Sequence, residues 1–144
     1  MAKLRIYFAT NRNYLGDNKV AVFGGRFNPD GIGALRFGWA EFDPAQGTSP
    51  QSVYVYPDPK PKVSGGEVKN PGSRLFLDDL RVAMRDGCAD TLIFIHGFNV
   101  SFLDALKAGA ALASEITIGG KTVNLVVFSW PSDGDAIPQM SYYS

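Results

Sequence analysis

The hydrophobic positions of the chain follow two different periods, one in each half. In the first half, short apolar runs with β-forming residues are separated by turn residues, which predicts strands. These strands cover residues 4–8, 20–23, 35–42 and 53–56. The third is the clearest, because Phe37 and Trp39 fall on one of its faces while Ala40 and Phe42 fall on the other. The first half is therefore predicted to be β-rich.

Helical spacing begins after residue 72. Apolar positions recur every three to four residues over 73–86 and again over 101–115, which predicts two amphipathic helices. Ser73 and Ser101 are placed to cap the first backbone amides of these helices. Gly87 is placed to follow the end of the first helix.

Two apolar runs flank the second predicted helix. Residues 91–95 and 122–128 are rich in β-branched and aromatic side chains, which is typical of parallel strands covered on both faces. Strand, helix and strand in this order form a βαβ unit, whose two strands run parallel in one sheet. We therefore predict an α/β fold, with β-rich N-terminal strands followed by a parallel βαβ portion.

The two halves are joined by a segment with the composition of an exposed loop. Residues 57–72 contain four prolines and three glycines, which favour turns over regular structure. We expect this loop to connect a β-rich segment, 1–56, to an α/β portion, 73–144. Both belong to one partial domain that covers residues 1–144.

Composition limits the classes of partner that the protein is expected to bind and says less about its fold. The 14 basic residues balance the 14 acidic ones, so no basic excess points to nucleic acid. No apolar run approaches the ~18 residues of a membrane-spanning helix, and the N-terminus lacks a signal-peptide pattern. We therefore expect a cytoplasmic protein that binds neither nucleic acid nor membrane.

The sequence contains no pattern for a metal or nucleotide cofactor, so we expect none. His, Asp and Glu do not cluster at metal-ligand spacing. The glycine pairs 24–25 and 65–66 lack the G-x-G-x-x-G pattern, so we interpret both as turns and give a nucleotide-binding domain little support. The single cysteine, Cys88, is expected to be a small buried apolar side chain.

The first candidate for chemistry is the turn after the strand 91–95. His96 and Gly97 end that strand directly before the second predicted helix, and ligands of open parallel sheets bind at such carboxyl ends. We interpret the Phe98 amide as a donor to a developing oxyanion, because it is freed from the sheet near a helix start. His96, Gly97 and Asn99 then shape this oxyanion loop. The alternative is an ordinary turn in which His96 is a core histidine bonded to a neighbouring loop.

A second candidate follows the strand 122–128. Ser132 stands in W-P-S-D-G, which imitates the end of a nucleophile elbow, but Trp130 replaces the small residue that the elbow requires. We therefore interpret Trp130 and Ser132 as lining a pocket, and not Ser132 as a nucleophile. After the first strand, residues 10–12 form either a polar turn or a segment that pins a loop through side-chain hydrogen bonds.

Four stretches together resemble one family. They are F-I-H-G-F-N-V-S-F-L-D-A-L at 94–106, V-V-F-S-W-P-S at 126–132, F-A-T-N-R at 8–12 and L-R-F-G-W-A-E at 35–41. They are similar to a bacterial esterase/lipase-like family of the α/β-hydrolase superfamily, largely of unknown function. The resemblance covers nearly the whole chain. It implies the N-terminal part of an α/β-hydrolase sheet and serine-dependent hydrolysis of a small ester-like substrate.

The resemblance also implies that the catalytic triad lies elsewhere. In such proteins the nucleophilic serine, the acid and the base come after the region that ends near Phe128, and His96 matches the oxyanion-loop histidine. We therefore expect a chain that is inactive alone. The outer edge of the strand ending at Phe128 would be open to the missing C-terminal half or to a second copy. The alternative is a non-catalytic, degenerate hydrolase-like module that binds a partner through this edge.

Overall fold

The structure, a computed structural model, describes residues 3–17, 21–31, 34–57 and 72–133. Its elements are β1 Leu4–Thr10, β2 Arg12–Tyr14, β3 Phe23–Phe27, β4 Arg36–Phe42, β5 Ser52–Val55, α1 Gly72–Gly87, β6 Thr91–Ile95, α2 Phe102–Glu115, β7 Thr117–Ile118, β8 Lys121–Thr122 and β9 Asn124–Ser129. Most of the predicted loop 57–72, the glycine pair 65–66 and the start of the predicted strand 20–23 lie outside the described residues. No described helix is long and apolar enough to cross a membrane.

Five strands form one mixed sheet in the order β5-β4-β1-β9-β6. β4 runs antiparallel to β1 and β5, whereas β9 runs parallel to both β1 and β6. β6 and β9 pair in register from Thr91 with Asn124 to Ile95 with Phe128, and α2 connects them in sequence. The α/β class and the parallel strand pair predicted from the change of period are therefore confirmed.

β6 does not occupy the buried place predicted for it. It is the last strand of the described sheet, and Ile93 and Ile95 are 64% and 63% exposed. Only one face of β6 is covered, where Leu92 and Phe94 pack against the core. β9 lies between β1 and β6, so the prediction of an open edge beside Phe128 is wrong. An apolar run does not distinguish a central strand from an edge strand with one uncovered face.

α2 covers one face of the sheet. The Ser101 side chain accepts a hydrogen bond from the Asp104 amide at 3.2 Å, as predicted for an N-cap. A Cβ at Gly109 would lie 2.5 Å from Val127 Cγ2, so glycine lets helix and strand approach closely here. We call the apolar cluster between them the α2 core; its buried members include Ile6, Phe8, Phe23, Ala40, Phe102, Leu106, Leu125 and Val127.

α1 covers the opposite face, with a smaller cluster. This cluster consists of Tyr7, Tyr56, Phe76, Leu80 and Val126. The Tyr56 hydroxyl donates to the Asp79 carboxylate, and burial together with that bond raises the pKa of Tyr56. α1 begins at Gly72, so Ser73 lies inside its first turn and is not the cap that the sequence predicts.

Two local predictions about glycine are wrong. Gly24 and Gly25 lie inside β3 rather than in a turn, and a Cβ at Gly24 would come within 2.6 Å of Asn13 Oδ1 on the paired strand. Gly87 is the last residue of α1, and Cys88 takes the left-handed conformation after it, with φ 48°. Cys88 is exposed instead of buried, because the chain leaves the helix at the surface.

Candidate functional site

The carboxyl ends of β1, β6 and β9 meet at one edge of the sheet. Residues 96–100 follow β6 there. In the second segment, residues 129–133, Ser129 is the last residue of β9 and the others follow it. The Asn99 amide donates to the Ser132 carbonyl at 2.9 Å, and the Val100 amide donates to the Ser132 hydroxyl at 3.1 Å. The two segments that the sequence singles out are therefore in direct contact.

His96 is buried between these segments as a neutral ring. Its Nδ1 lies 2.8 Å from the Gly97 carbonyl oxygen, which can only accept, so Nδ1 carries the proton. Its Nε2 accepts from the Trp130 amide at 3.1 Å and also lies 3.1 Å from the Ser129 hydroxyl. Both ring nitrogens are engaged, so His96 acts as a connector and is not free to exchange protons with a substrate.

A fully buried arginine on β2 joins the same segments. Arg12 Nε donates to Ser129 Oγ at 2.9 Å, and its Nη2 donates to the Val100 carbonyl at 2.6 Å. Its Nη1 donates to the Asp133 carboxylate at 2.5 Å and to the Gly24 carbonyl at 3.1 Å. One guanidinium therefore fixes β3 and both loop segments relative to each other.

Arg12, His96, Ser129 and Asp133 form what we call the carboxyl-edge cluster. Burial lowers the pKa of Arg12, while the hydrogen bond and the charge of Asp133 oppose this effect. Burial is also the main reason that the pKa of His96 lies below its ordinary value. The bond to the Gly97 carbonyl raises that pKa, the charge of Arg12 lowers it, and Asp133 raises it. The cluster holds one cation, one anion and one neutral imidazole.

The backbone of the loop 96–100 makes a left-handed turn at Asn99. The positive φ belongs to Asn99, at 57°, a conformation that asparagine tolerates better than most residues. A Cβ at Gly97 would meet no atom within 4 Å, so the space beside this residue is open. No acceptor among the described residues receives the Phe98 amide. The loop therefore presents an unused donor next to open space.

Trp130 packs on the start of this loop. Its ring lies parallel to the His96 ring, with centroids 5.7 Å apart, and its Nε1 donates to the His96 carbonyl at 3.0 Å. The Phe98 ring meets it edge-on at 5.5 Å. Trp130 is half-buried, so part of it faces solvent beside the loop. This position is compatible with the predicted wall of a pocket.

Neither serine of this segment is placed as a nucleophile. Ser129 and His96 are within hydrogen-bond distance, as a nucleophile and its base would be, but Ser129 is fully buried and its hydroxyl also accepts from Arg12. Ser132 is buried as well, and its hydroxyl bonds both the amide and the carbonyl of Val100. Ser132 thus ties two loops together and does not present its hydroxyl to a pocket.

Arg12 is the residue that sequence reasoning undervalues. Of the two interpretations of residues 10–12, the structure supports the segment that pins loops through side chains. The partners of the guanidinium lie up to 121 positions away, so no local pattern reveals them. The one local signal is a charged residue directly after an apolar strand. No group of three or more potential metal ligands occurs in the described part of the chain.

Comparison with protein families finds a match for the second half of the chain. A family model described as Alpha/beta hydrolase of unknown function (DUF900) matches residues 78–142. The match includes β6, α2, β9 and both segments of the site. No curated protein and no solved structure matches the chain. Residues 78–142 are therefore similar to a family of α/β hydrolases of unknown function.

Proposed function

We propose that this chain supplies the oxyanion side of a serine hydrolase site that acts on small esters. In this proposal the Phe98 amide donates to the oxygen that gains negative charge when the ester carbonyl is attacked. The observation that carries this proposal is that the Phe98 N–H is available for a hydrogen bond. It has no acceptor among the described residues and lies next to the open space at Gly97, at the edge of the sheet where ligands bind.

The loop holds this donor in place before any substrate arrives. His96 fixes the Gly97 carbonyl, and the bonds of Asn99 and Val100 to Ser132 fix the residues that follow. A donor that needs no reorganisation as charge develops is worth about 10²–10³ in kcat. A loop that only connects two elements does not need to be fixed by so many hydrogen bonds, so this rigidity supports an oxyanion role.

The surroundings fit a small apolar group next to the reacting ester. Trp130 and Phe98 present aromatic surface beside the loop, and Gly97 leaves room for close approach. The proposal takes the nucleophile, acid and base from residues outside those described, since Ser129 and Ser132 are both buried and bonded. The match of residues 78–142 to α/β hydrolases supports hydrolysis as the reaction class.

The assignment of the nucleophile is tested on the 144-residue chain. We expect no turnover of p-nitrophenyl acetate above background and no labelling by a fluorophosphonate, which reacts with activated serines. Ser129→Ala and Ser132→Ala serve as controls. Turnover that disappears in either variant, or a label mapped to either serine, would contradict the proposed division of roles.

The donor itself is tested by replacing the amide of Phe98 with an ester linkage. The assay uses p-nitrophenyl acetate and the protein in which this chain is combined with the part that bears the nucleophile. We expect kcat to fall about 10²–10³-fold with little change in KM, because the lost bond forms mainly in the transition state. The same linkage at Leu103, inside α2, controls for the chemistry of the replacement. An unchanged kcat at Phe98 would refute the proposed role.

A second candidate is a binding module without catalysis, and β6 is the observation that favours it. Within the described residues no strand pairs with its outer edge, and Ile93, Ile95 and Phe98 are largely exposed beside that edge. Edge strands without charged residues or prolines are prone to pair with other chains. We expect Ile93→Lys to reduce association measured by analytical ultracentrifugation, and Leu77→Lys on α1, which is also exposed, to leave it unchanged. A wild-type chain that stays monomeric would count against this candidate.

A further inference from the structure

A directed series of hydrogen bonds runs from Arg12 to the oxyanion loop. Arg12 Nε donates to Ser129 Oγ at 2.9 Å. The Ser129 hydroxyl donates to His96 Nε2 at 3.1 Å. His96 Nδ1 donates to the Gly97 carbonyl at 2.8 Å. We call these three bonds the relay, and every donor in it points away from the guanidinium.

The direction of the relay follows from its two ends and from the Trp130 amide. A guanidinium has only donors and a carbonyl oxygen only accepts, so Ser129 Oγ accepts at one end and His96 Nδ1 donates at the other. The Trp130 amide, which donates to His96 Nε2, supports the same tautomer of the ring. Because Nε2 accepts from the Trp130 amide, it carries no proton, so the Ser129 hydroxyl is the donor in its contact with Nε2 and shares the one lone pair of that nitrogen with the amide. The relay therefore starts at a buried cation and ends at a peptide carbonyl.

The last bond of the relay acts on the peptide that carries the proposed oxyanion donor. The carbonyl of Gly97 and the amide of Phe98 belong to one peptide group. A hydrogen bond accepted by a peptide carbonyl polarises the group and makes its N–H a stronger donor, and hydrogen bonds in series reinforce one another. The same bond fixes the plane of the peptide, because the carbonyl and the N–H point in opposite directions.

We propose that Arg12 is a positioning residue for the oxyanion donor and acts on it through the relay. This inference rests on the proposed function, in which the Phe98 amide is that donor. Arg12 lies on the other side of Ser129 and His96 from the loop, and it reaches the loop directly only through the Val100 carbonyl. Asp133 and the Gly24 carbonyl hold the guanidinium at a fixed place, so the relay has a fixed origin.

The relay is tested by cutting its middle link. Ser129→Ala removes one hydroxyl and leaves the bonds of Arg12 to Asp133, Gly24 and Val100 available, whereas replacing the buried Arg12 could unfold the protein. The chain has one histidine, so the ring ¹⁵N signals of His96 are assigned without ambiguity by NMR. Ser132→Ala is the matched control, because it loosens the contact between the loops without breaking a bond of the relay.

In Ser129→Ala we expect the His96 ring ¹⁵N signals to shift and the Phe98 amide proton to move upfield. In Ser132→Ala we expect the ring signals to stay near their wild-type positions. A Phe98 amide proton that does not move in Ser129→Ala overturns the inference, whatever happens to the histidine ring. So does an equal movement of all these signals in Ser132→Ala, because general loosening would then explain the shift.

Kinetics separate this inference from the proposed function. With p-nitrophenyl acetate, and with the part of the protein that bears the nucleophile present, we expect Ser129→Ala to lower kcat about ten- to a hundredfold while KM stays constant. Shifted NMR signals with an unchanged kcat would support the relay and refute the oxyanion role of Phe98. A lower kcat with unshifted signals would refute the relay and leave the oxyanion role standing.

Discussion

The α2 core and the carboxyl-edge cluster hold the same elements together by different physics. In the α2 core, the Phe102 ring meets Phe8 and Phe23 at centroid distances of 5.0 and 4.9 Å, and no polar atom directs the contact. In the carboxyl-edge cluster, Arg12 alone makes four hydrogen bonds to other segments, each with a defined direction. Both regions are buried, but only the carboxyl-edge cluster fixes the relative orientation of its groups, because hydrogen bonds are directional.

The difference shows where the fold is made stable and where it is made specific. Apolar packing stabilises in proportion to the area buried and accepts small shifts of side chains. A network of hydrogen bonds to a buried cation loses much of its value when one member moves. The loop 96–100 is attached to the carboxyl-edge cluster, so its geometry depends on hydrogen bonds more than on packed volume.

Phe102→Ala should show the largest loss of stability. The ring is buried between two other aromatic rings, so its removal leaves a cavity that costs about 3–5 kcal/mol of unfolding free energy. Urea denaturation measures the loss. Phe98→Ala is the matched control, because Phe98 is 64% exposed and should change stability by less than about 0.5 kcal/mol. Similar losses for both variants would show that the α2 core does not dominate stability.

Arg12→Met should cost less, about 2–3 kcal/mol. It removes the donor of Ser129 Oγ and the shorter of two bonds to the Val100 carbonyl, which keeps the Ser132 hydroxyl as a donor at 3.2 Å. Asp133 is partly exposed and becomes hydrated when the guanidinium is absent. The control is Arg81→Met on α1, whose exposed side chain forms only a long ion pair with Asp78. A stabilising effect of Arg12→Met would show that the carboxyl-edge cluster serves geometry at the expense of stability.

Gly109→Ala tests how tightly the α2 core is packed. The new Cβ would lie 2.5 Å from Val127 Cγ2, so we expect a net loss of about 1–2 kcal/mol although alanine favours helix. At Gly87, the last residue of α1, the nearest atom to a new Cβ is 3.9 Å away. Gly87→Ala should therefore leave stability unchanged or raise it slightly. If thermal unfolding showed equal effects for Gly109→Ala and Gly87→Ala, then α2 could move away from β9 at little cost in free energy.

The pH dependence of stability should be the smallest effect and comes from His96. Its pKa in the folded chain lies below the ordinary value because of burial, with Arg12 lowering it and Asp133 raising it. Below about pH 6.5 the unfolded chain therefore binds the proton more readily, and stability falls as the pH drops. Above that pH, His96 contributes no slope. His96→Asn should reduce the difference between the unfolding free energies at pH 7 and pH 5. An unchanged difference would show that other groups cause the pH dependence.

The periodic parts of the fold are those that the sequence predicts well. α2 begins after Ser101 and ends at Glu115 as its spacing indicates, and β4 divides Phe37 and Trp39 from Ala40 and Phe42. These elements depend on which face is buried, and that information is local. β6 shows the limit, because its apolar run is the same whether one face or two are covered.

The site is predictable in place but not in its connections. The position of 96–99 after a parallel strand locates the loop, and the sequence pairs it with the segment that begins at Ser129. The hydrogen bonds of Arg12 join residues from 12 to 121 positions apart, so they exist only once the sheet has formed. The left-handed residue of the loop, Asn99, likewise bonds Ser132, which lies 33 positions away in the sequence.

Cys88 gives the protein one chemically addressable point far from the site. Its exposed thiol is the single one in the sequence, and it lies before β6, whereas the loop 96–100 follows the same strand. Five strand residues span about 17 Å, a distance over which a dye attached to Cys88 can accept energy from an excited indole such as Trp130. Phenylalanine at position 39 would leave Trp130 as the sole donor. Energy transfer from Trp130 to the dye would then show, without a substrate, whether the loop keeps its fixed position in solution.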